Sequence, residues 1–297
     1  MNTAFRAILR KSIWTKTMTN TDVPNARPLE TIRTELDDID SHIHALVIRR
    51  AGLADEVRRA KTDTGAAALR PGREAQMLRR IAEMNRGEMQ LSQVWRLWRE
   101  LIMANARLQF PFVVDTVAAN ENLTLWDMGR AHFCFETTME AHDTAQAALA
   151  CTAVGPARIA LVRSGDASWW SKLAIPGTSL RVFNALPMIC NSDASAPFAM
   201  VVGDISLSPS GEDITVFYLQ ATTGSTINDQ LSLELTRRPQ QIAYCLSEAN
   251  EALIGWHGFL GEVPTNLNSW TGNDMKVTLI GAHSAPVAPT FPVAGRT

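Results

Sequence analysis

From Leu29 onward, apolar residues recur in steps of three and four: Leu29, Ile32, Leu36, Ile39, Ile43, Leu46, Leu53, Val57 and Ala60. That spacing draws one stripe along an α-helix. Gly52 is the one interruption, and no proline breaks the run. The pattern predicts a helix from about Pro28 to about Thr62, roughly 50 Å long at about 1.5 Å per residue. A helix so long cannot bury its stripe against itself. It needs partner helices, and a second copy of the chain is the expected source.

One position on the stripe is wrong for a core. Arg50 stands four residues after Leu46 and three before Leu53, where the pattern requires an apolar side chain. A buried unpaired guanidinium is costly. Either Arg50 reaches the edge or a carboxylate, or it meets an anionic ligand. Lys61 follows eleven residues later, close to three whole turns, and so shares that face.

A loop over 63–69 is expected next, and Arg70-Pro71-Gly72-Arg73-Glu74 opens a second helix, with Pro71 suited to its first turn. Met77, Leu78, Ile81 and Met84 form its apolar face, and Asn85-Arg86-Gly87 ends it. A third helix is predicted from Leu91 to Gln109. Its stripe is Leu91, Val94, Trp95, Trp98, Leu101 and Ile102, continued by the polar Asn105 and Gln109. Phe110-Pro111 terminates it. Arg96, Arg99 and Arg107 read as a solvated face of this helix.

After about Asn120 charge thins, and Gly, Ser and Thr increase. Strands are predicted over 157–163, 180–189, 197–205, 214–221, 258–263 and 277–281, and helices over 141–153 and 240–253. The fold class is therefore multidomain α and α/β, a helical unit over 28–112 followed by an α/β unit over 120–283. Residues 1–27 are expected to be a flexible extension and 284–297 a disordered tail.

Net charge is −2 over 297 residues, which argues against nucleic-acid or membrane-surface partners. No run of apolar residues predicts a transmembrane helix, and the first residues lack the apolar core of a signal peptide. The four cysteines, Cys134, Cys151, Cys190 and Cys245, show no CxxC pair and no disulfide framework. A reducing, cytoplasmic setting is expected. His132, His142, His257 and His283 show no metal-ligand spacing, and no metal or cofactor is expected.

The stretch from Leu29 to Gln109 resembles the all-helical (type II) chorismate mutases. The matching pieces are Ile32-Arg33…Asp40, Arg49-Arg50, Val57-Arg58-Arg59-Ala60-Lys61, Arg70-Pro71-Gly72-Arg73-Glu74 and Ile102-Met103-Ala104-Asn105-Ala106-Arg107-Leu108-Gln109, in order. The resemblance implies an intertwined all-α homodimer with shared active sites, chorismate as substrate, and a pericyclic rearrangement to prephenate. Arg50 and a partner copy's Arg33 would hold the substrate carboxylates. Lys61 and Gln109 would donate to the ether oxygen, and Glu74 would bind the ring hydroxyl. Arg73 and Asn105 would shape and charge the pocket.

The residues suit that chemistry. Guanidinium forks match carboxylates, and a pericyclic step needs only a held conformer and donors aimed at developing charge. Gln109 donates without needing a proton, which implies turnover free of an acidic requirement there.

The later half resembles at most a degenerate prephenate dehydratase with an ACT-like region. Where dehydratases carry Thr-Arg-Phe, this chain has Thr215-Val216-Phe217, and Thr236-Arg237-Arg238-Pro239 faintly matches an ACT motif. Three readings follow: a chorismate mutase with an appended α/β domain, a bifunctional mutase–dehydratase, and a non-catalytic helical dimerisation module carrying an α/β ligand sensor. The polar set Arg50, Asn105 and Gln109 favours the first over the third, and Val216 favours it over the second.

Overall fold

The computed structural model describes residues 27–60, 69–118, 123–190, 196–221, 240–265, 267 and 275–288. The chain divides into two compact units, Met1–Leu53 and Ala54–Thr297.

The first unit contains most of helix α1, which runs Leu29–Ala60. Its register is fixed by local bonds: Arg33 to Glu30 at 2.7 Å, Ser41 Oγ to the Asp37 carbonyl at 2.8 Å, and an ion pair of Arg27 with Glu35. The stripe is there and it is bare. Leu29, Ile32, Leu36, Ile39, Ile43 and Leu46 are between 37% and 62% exposed.

Among its described residues the second unit holds α2 (Pro71–Met84), α3 (Leu91–Gln109), α4 (Thr124–Phe133) and α5 (Ala145–Thr152) with nine strands. The strands are β1 (Val113–Val117), β2 (Thr138–His142), β3 (Arg158–Arg163), β4 (Arg181–Leu186), β5 (Ala199–Gly203), β6 (Asp213–Ala221), β7 (Ile242–Glu248), β8 (Glu251–His257) and β9 (Met275–Ser284). They form one mixed sheet in the order β2-β1-β3-β5-β4-β9-β6-β8-β7. Around β1 the pairing is parallel, to β2 and β3, and from β3 through β5 to β4 it is antiparallel. The run β9-β6-β8-β7 is antiparallel throughout, with the first and third strands of this half, β6 and β8, at its centre, the strand order of ferredoxin-like sheets. The two halves meet along β4 and β9, at the parallel pair Val182–Gly281 and, just beyond both strands, at the parallel bridge Ile189–Val287. Strand β9 can come so close because residue 281 is glycine: a Cβ there would lie 2.1 Å from the Val182 carbonyl oxygen, and its φ is +157°.

Period-two alternation sends each strand's residues to both faces. Ile159 and Leu161 of β3 join α2, α3 and α4 in one core, with Leu78, Ile81, Leu91, Trp95 and Phe133. Ala160 and Val162 face α5 and a 3₁₀ segment, Ala167–Ala174, whose Trp169 and Trp170 are wholly buried. Each indole N–H donates to a carbonyl, of Arg163 at 2.8 Å and Ser164 at 2.9 Å. The tryptophan pair is thus core. Helices α2 and α3 share their core with the α/β elements that follow.

Several expectations need correction. Residues 240–253, expected as a helix, are the β7–β8 hairpin, turning at Ala249 with φ +52°. Residues 141–153 divide into the end of β2 and α5. Over 258–263 there is no strand, only a bridge of Gly258 to Ile214. The tail expected from 284 starts too early, since β9 reaches Ser284 and Val287 pairs with Ile189. Residues 1–26, 61–68, 236–239 and 289–297 lie outside the described residues. No helix among those described is long and apolar enough to cross a membrane.

Candidate active site

Helix α2 begins at Pro71, whose missing N–H costs nothing in a first turn. Gly72 lets that turn approach the chain at 208–210, where a Cβ would meet the Ser208 carbonyl oxygen at 2.9 Å. Two turns on, Arg79 donates to the carbonyls of Ser210 (2.8 Å) and Glu212 (2.7 Å) and to Ser210 Oγ (3.1 Å). Helix α3 opens with a capping box between Gln90 and Gln93. Its buried line is Leu91, Trp95, Arg99, Met103 and Ala106.

Arg99 is the unexpected member of that line. Expected on a solvated face, it is 2% exposed. Its Nη1 donates to a carboxylate oxygen of Glu74, in an ion pair buried on both sides. Nε and Nη2 donate to the His132 carbonyl at 2.9 and 2.7 Å, and the guanidinium lies 5.7 Å from the Trp95 ring centroid. Two charges taken from water carry a heavy desolvation cost, offset here by a bond from each of the three guanidinium nitrogens. The His132 side chain, in α4, is pushed well below its ordinary pKa by burial and then by the Arg99 charge, so it is neutral. Cys134 donates to the Arg99 carbonyl at 3.4 Å, and its thiol is pushed up to about 12 by burial first and by Glu100 second. The spacing Leu91-Trp95-Arg99-Met103 was the signal that could have found Arg99. Arg107, of the same expected face, is half-buried and paired with Glu136, whereas Arg96 is exposed.

The remaining expected site residues stand as follows. In the first unit, Arg33 is exposed and bonded to Glu30, and Arg50 is half-buried, its pKa lowered by that burial. Lys61 lies outside the described residues. In the second unit, Arg73 is exposed, Glu74 is buried, and Asn105 and Gln109 are half-buried on α3. Four residues apart, Asn105 and Gln109 share a face about 40° wide, with Arg99 about 80° from Gln109 around the helix. The second unit brings Glu74 to Arg99, whereas Asn105 and Gln109 stand about 80–120° around α3 and about 9–15 Å further along it.

A second polar cluster lies on β1. Asp115, fully buried, accepts from Arg158 Nε at 2.9 Å and Nη2, from Thr152 Oγ1 at 3.2 Å, and bonds His142 Nε2 at 2.7 Å. Asp115, His142 and Cys151 offer ligand atoms within 4.8 Å of one another, a grouping that linear spacing could not reveal. The carboxylate is nonetheless occupied by Arg158, whose own pKa is raised by Asp115 and then Glu140, so the arrangement is that of an internal charge network. The segment aligned with the dehydratase motif is also interior. Val216 is wholly buried in the interior strand β6, opposite Gly281 and Gly255.

Residues 32–110 match the family model described as chorismate mutase type II. The bifunctional chorismate mutase/prephenate dehydratase of Stutzerimonas stutzeri is 35% identical over 94 residues, 30% of this chain and 26% of that protein. Its counterpart in Pseudomonas aeruginosa is 35% identical over 91 residues, 29% of this chain and 25% of that protein. The chain thus spans about a quarter of the length of the curated relatives it matches. Among solved structures, "GqqA- a novel type of quorum quenching acylases" aligns with TM-score 0.40 and 11% identity over 58% of this chain and 95% of that one. Prephenate dehydratase from Streptococcus mutans aligns with TM-score 0.39 and 8% identity over 59% of this chain and 99% of that one. Within this chain, residues 32–110 are a type II chorismate mutase domain, followed by a mixed α/β region.

Proposed function

We propose that the chain is a chorismate mutase, rearranging chorismate to prephenate in aromatic amino acid biosynthesis, and that it works as a homodimer with shared sites. The observation that carries this reading is the family match over 32–110, coinciding with the segment that sets Arg50, Asn105 and Gln109 on otherwise apolar helical stripes. The exposed stripe of α1 supports the dimer. Fully burying a Leu or Ile side chain contributes roughly 1.5–3 kcal/mol, and six such residues lie bare in the single chain.

In this reading Arg50, with Arg33 of a second copy, clamps the two carboxylates and folds the substrate into the reacting conformer. Lys61 and Gln109 donate to the ether oxygen as its bond to carbon breaks and negative charge gathers there. One such fixed donor contributes about 3–4 kcal/mol in a site that excludes water. Glu74 accepts from the ring hydroxyl, while Arg73 and Asn105 complete the charge and shape of the pocket. No nucleophile or cofactor takes part.

The test is loss of chorismate absorbance with purified protein beside Arg50→Ala, followed by assay of prephenate and phenylpyruvate. Prephenate formed by the wild type and lost in the variant is expected. The names of the relatives motivate a second reading, a bifunctional mutase–dehydratase. Phenylpyruvate formed without acid would support it, against the burial of Val216. No turnover at all would leave the helical dimerisation module with an α/β sensor as the better account.

A further inference from the structure

The geometry points to Arg99 as a positioning residue of the mutase site, one that ties Glu74 to helix α4 and so makes the α/β region part of the scaffold of that site. The assignment rests on the mutase reading above, in which Glu74 meets the substrate.

Arg99 has three bonded nitrogens in two directions. Nη1 holds Oε2 of Glu74, and Nε and Nη2 together grip the carbonyl of His132. That carbonyl belongs to the last turn of α4, where Phe133 packs in the core common to α2, α3 and β3. The guanidinium is planar, so two bonds to one carbonyl fix its plane, and the third N–H then fixes where the carboxylate can sit. The Trp95 ring lies beside the same guanidinium, its centroid 5.7 Å away, while the Cys134 thiol bonds the Arg99 backbone carbonyl. Taking Oε2 leaves Oε1 as the oxygen that a ligand hydroxyl would meet. Glu74 is therefore set from α4, through Arg99. A lysine at 99 would keep the charge but lose the fork, since one ammonium on a flexible stem cannot define a plane.

The experiment is a double-mutant cycle on the full-length protein: wild type, Arg99→Lys, Glu74→Gln and the double variant, each assayed for kcat and KM with chorismate. A hydroxyl contact exists before and during the rearrangement, so its loss appears in KM. Arg99→Lys is expected to raise KM about tenfold, the size of one charge-assisted hydrogen bond. It should leave kcat within about twofold, and in the Glu74→Gln background change KM by less than about twofold, because its effect passes through Glu74. A merely structural role would lower the fraction of folded enzyme, reducing kcat at unchanged KM, and that result overturns the assignment. So does an equal loss in both backgrounds. Should Arg99→Lys fail to fold by circular dichroism, Arg99→Gln, which keeps a planar donor, takes its place in the same cycle. A wild type without turnover sinks the mutase reading and this assignment together; turnover without coupling between Arg99 and Glu74 sinks this assignment alone.

Discussion

Replacing Gly281 by alanine should damage the protein out of proportion to one methyl group. The two halves of the sheet join where Gly281 of β9 faces Val182 of β4. A Cβ at 281 would stand 2.1 Å from the Val182 carbonyl oxygen and 2.6 Å from its nitrogen. Both are backbone atoms, so no rotamer change makes room, and a strand must move by more than about 1 Å to restore ordinary contact. Overpacking of this kind costs about 1–3 kcal/mol. Forcing a residue with a Cβ into the φ that Gly281 adopts adds roughly 1–3 kcal/mol. A loss of about 2–6 kcal/mol is expected, a large share of the roughly 5–15 kcal/mol that holds a typical domain. Urea unfolding followed by tryptophan fluorescence measures it, since Trp169 and Trp170 lie in the core that Val182 and Ile280 share. Gly155→Ala is the control, because a Cβ there meets nothing within 4 Å. A Gly281→Ala protein within about 0.5 kcal/mol of wild type would refute the steric argument.

Asp115→Asn should cost about 3 kcal/mol in the same assay, because it breaks a buried ion pair on one side only; a neutral result would mean that Arg158 relaxes into solvent without loss. His283 is buried against Tyr244 Oη at 2.9 Å, and burial lowers its pKa from 6.5 to about 4. Its folded pKa lies below the unfolded value, so the unfolded chain takes up the proton first as pH falls. Stability is then lost between about pH 6.5 and about pH 4, by about 3 kcal/mol, and levels off below. Unfolding midpoints at several pH values should show that slope reduced in His283→Gln; equal slopes would remove His283 as its source. Ile39→Asp, in the middle of the bare α1 stripe, should convert a sedimenting dimer to monomer and abolish mutase turnover; a dimer that survives it would place the interface elsewhere.

The helices were legible because each repeats its apolar positions over many turns. The expected spans and the observed α1, α2 and α3 agree to within about two residues. Short elements gave weaker signals. Strand β1 has five residues, and Asp115 in its middle breaks the apolar run, although that carboxylate is the most buried acid of its cluster. The β7–β8 hairpin is rich in Ala, Leu and Glu, which favour a helix locally; pairing of β8 to β6 along its length overrides that preference. Arg99 was misread for a related reason. Charge alone suggests solvent, and only a third dimension supplies the carboxylate and carbonyl that let it stay inside. The same holds for His142, which finds Asp115 from 27 residues away in the chain.

The place of β9 also has a consequence for the order in which the molecule is made. Of the nine strands among the described residues it is the last in sequence, yet it lies between β4 and β6 in the sheet. While the ribosome is still adding β8, the half built from β1 to β5 and the half begun by β6 each end in an unpaired edge, and no strand joins them. Open edges of this kind are templates for other chains. A nascent chain stopped before residue 275 would expose two such edges at once, and the protein becomes one sheet only when its closing strand leaves the exit tunnel and slides between them.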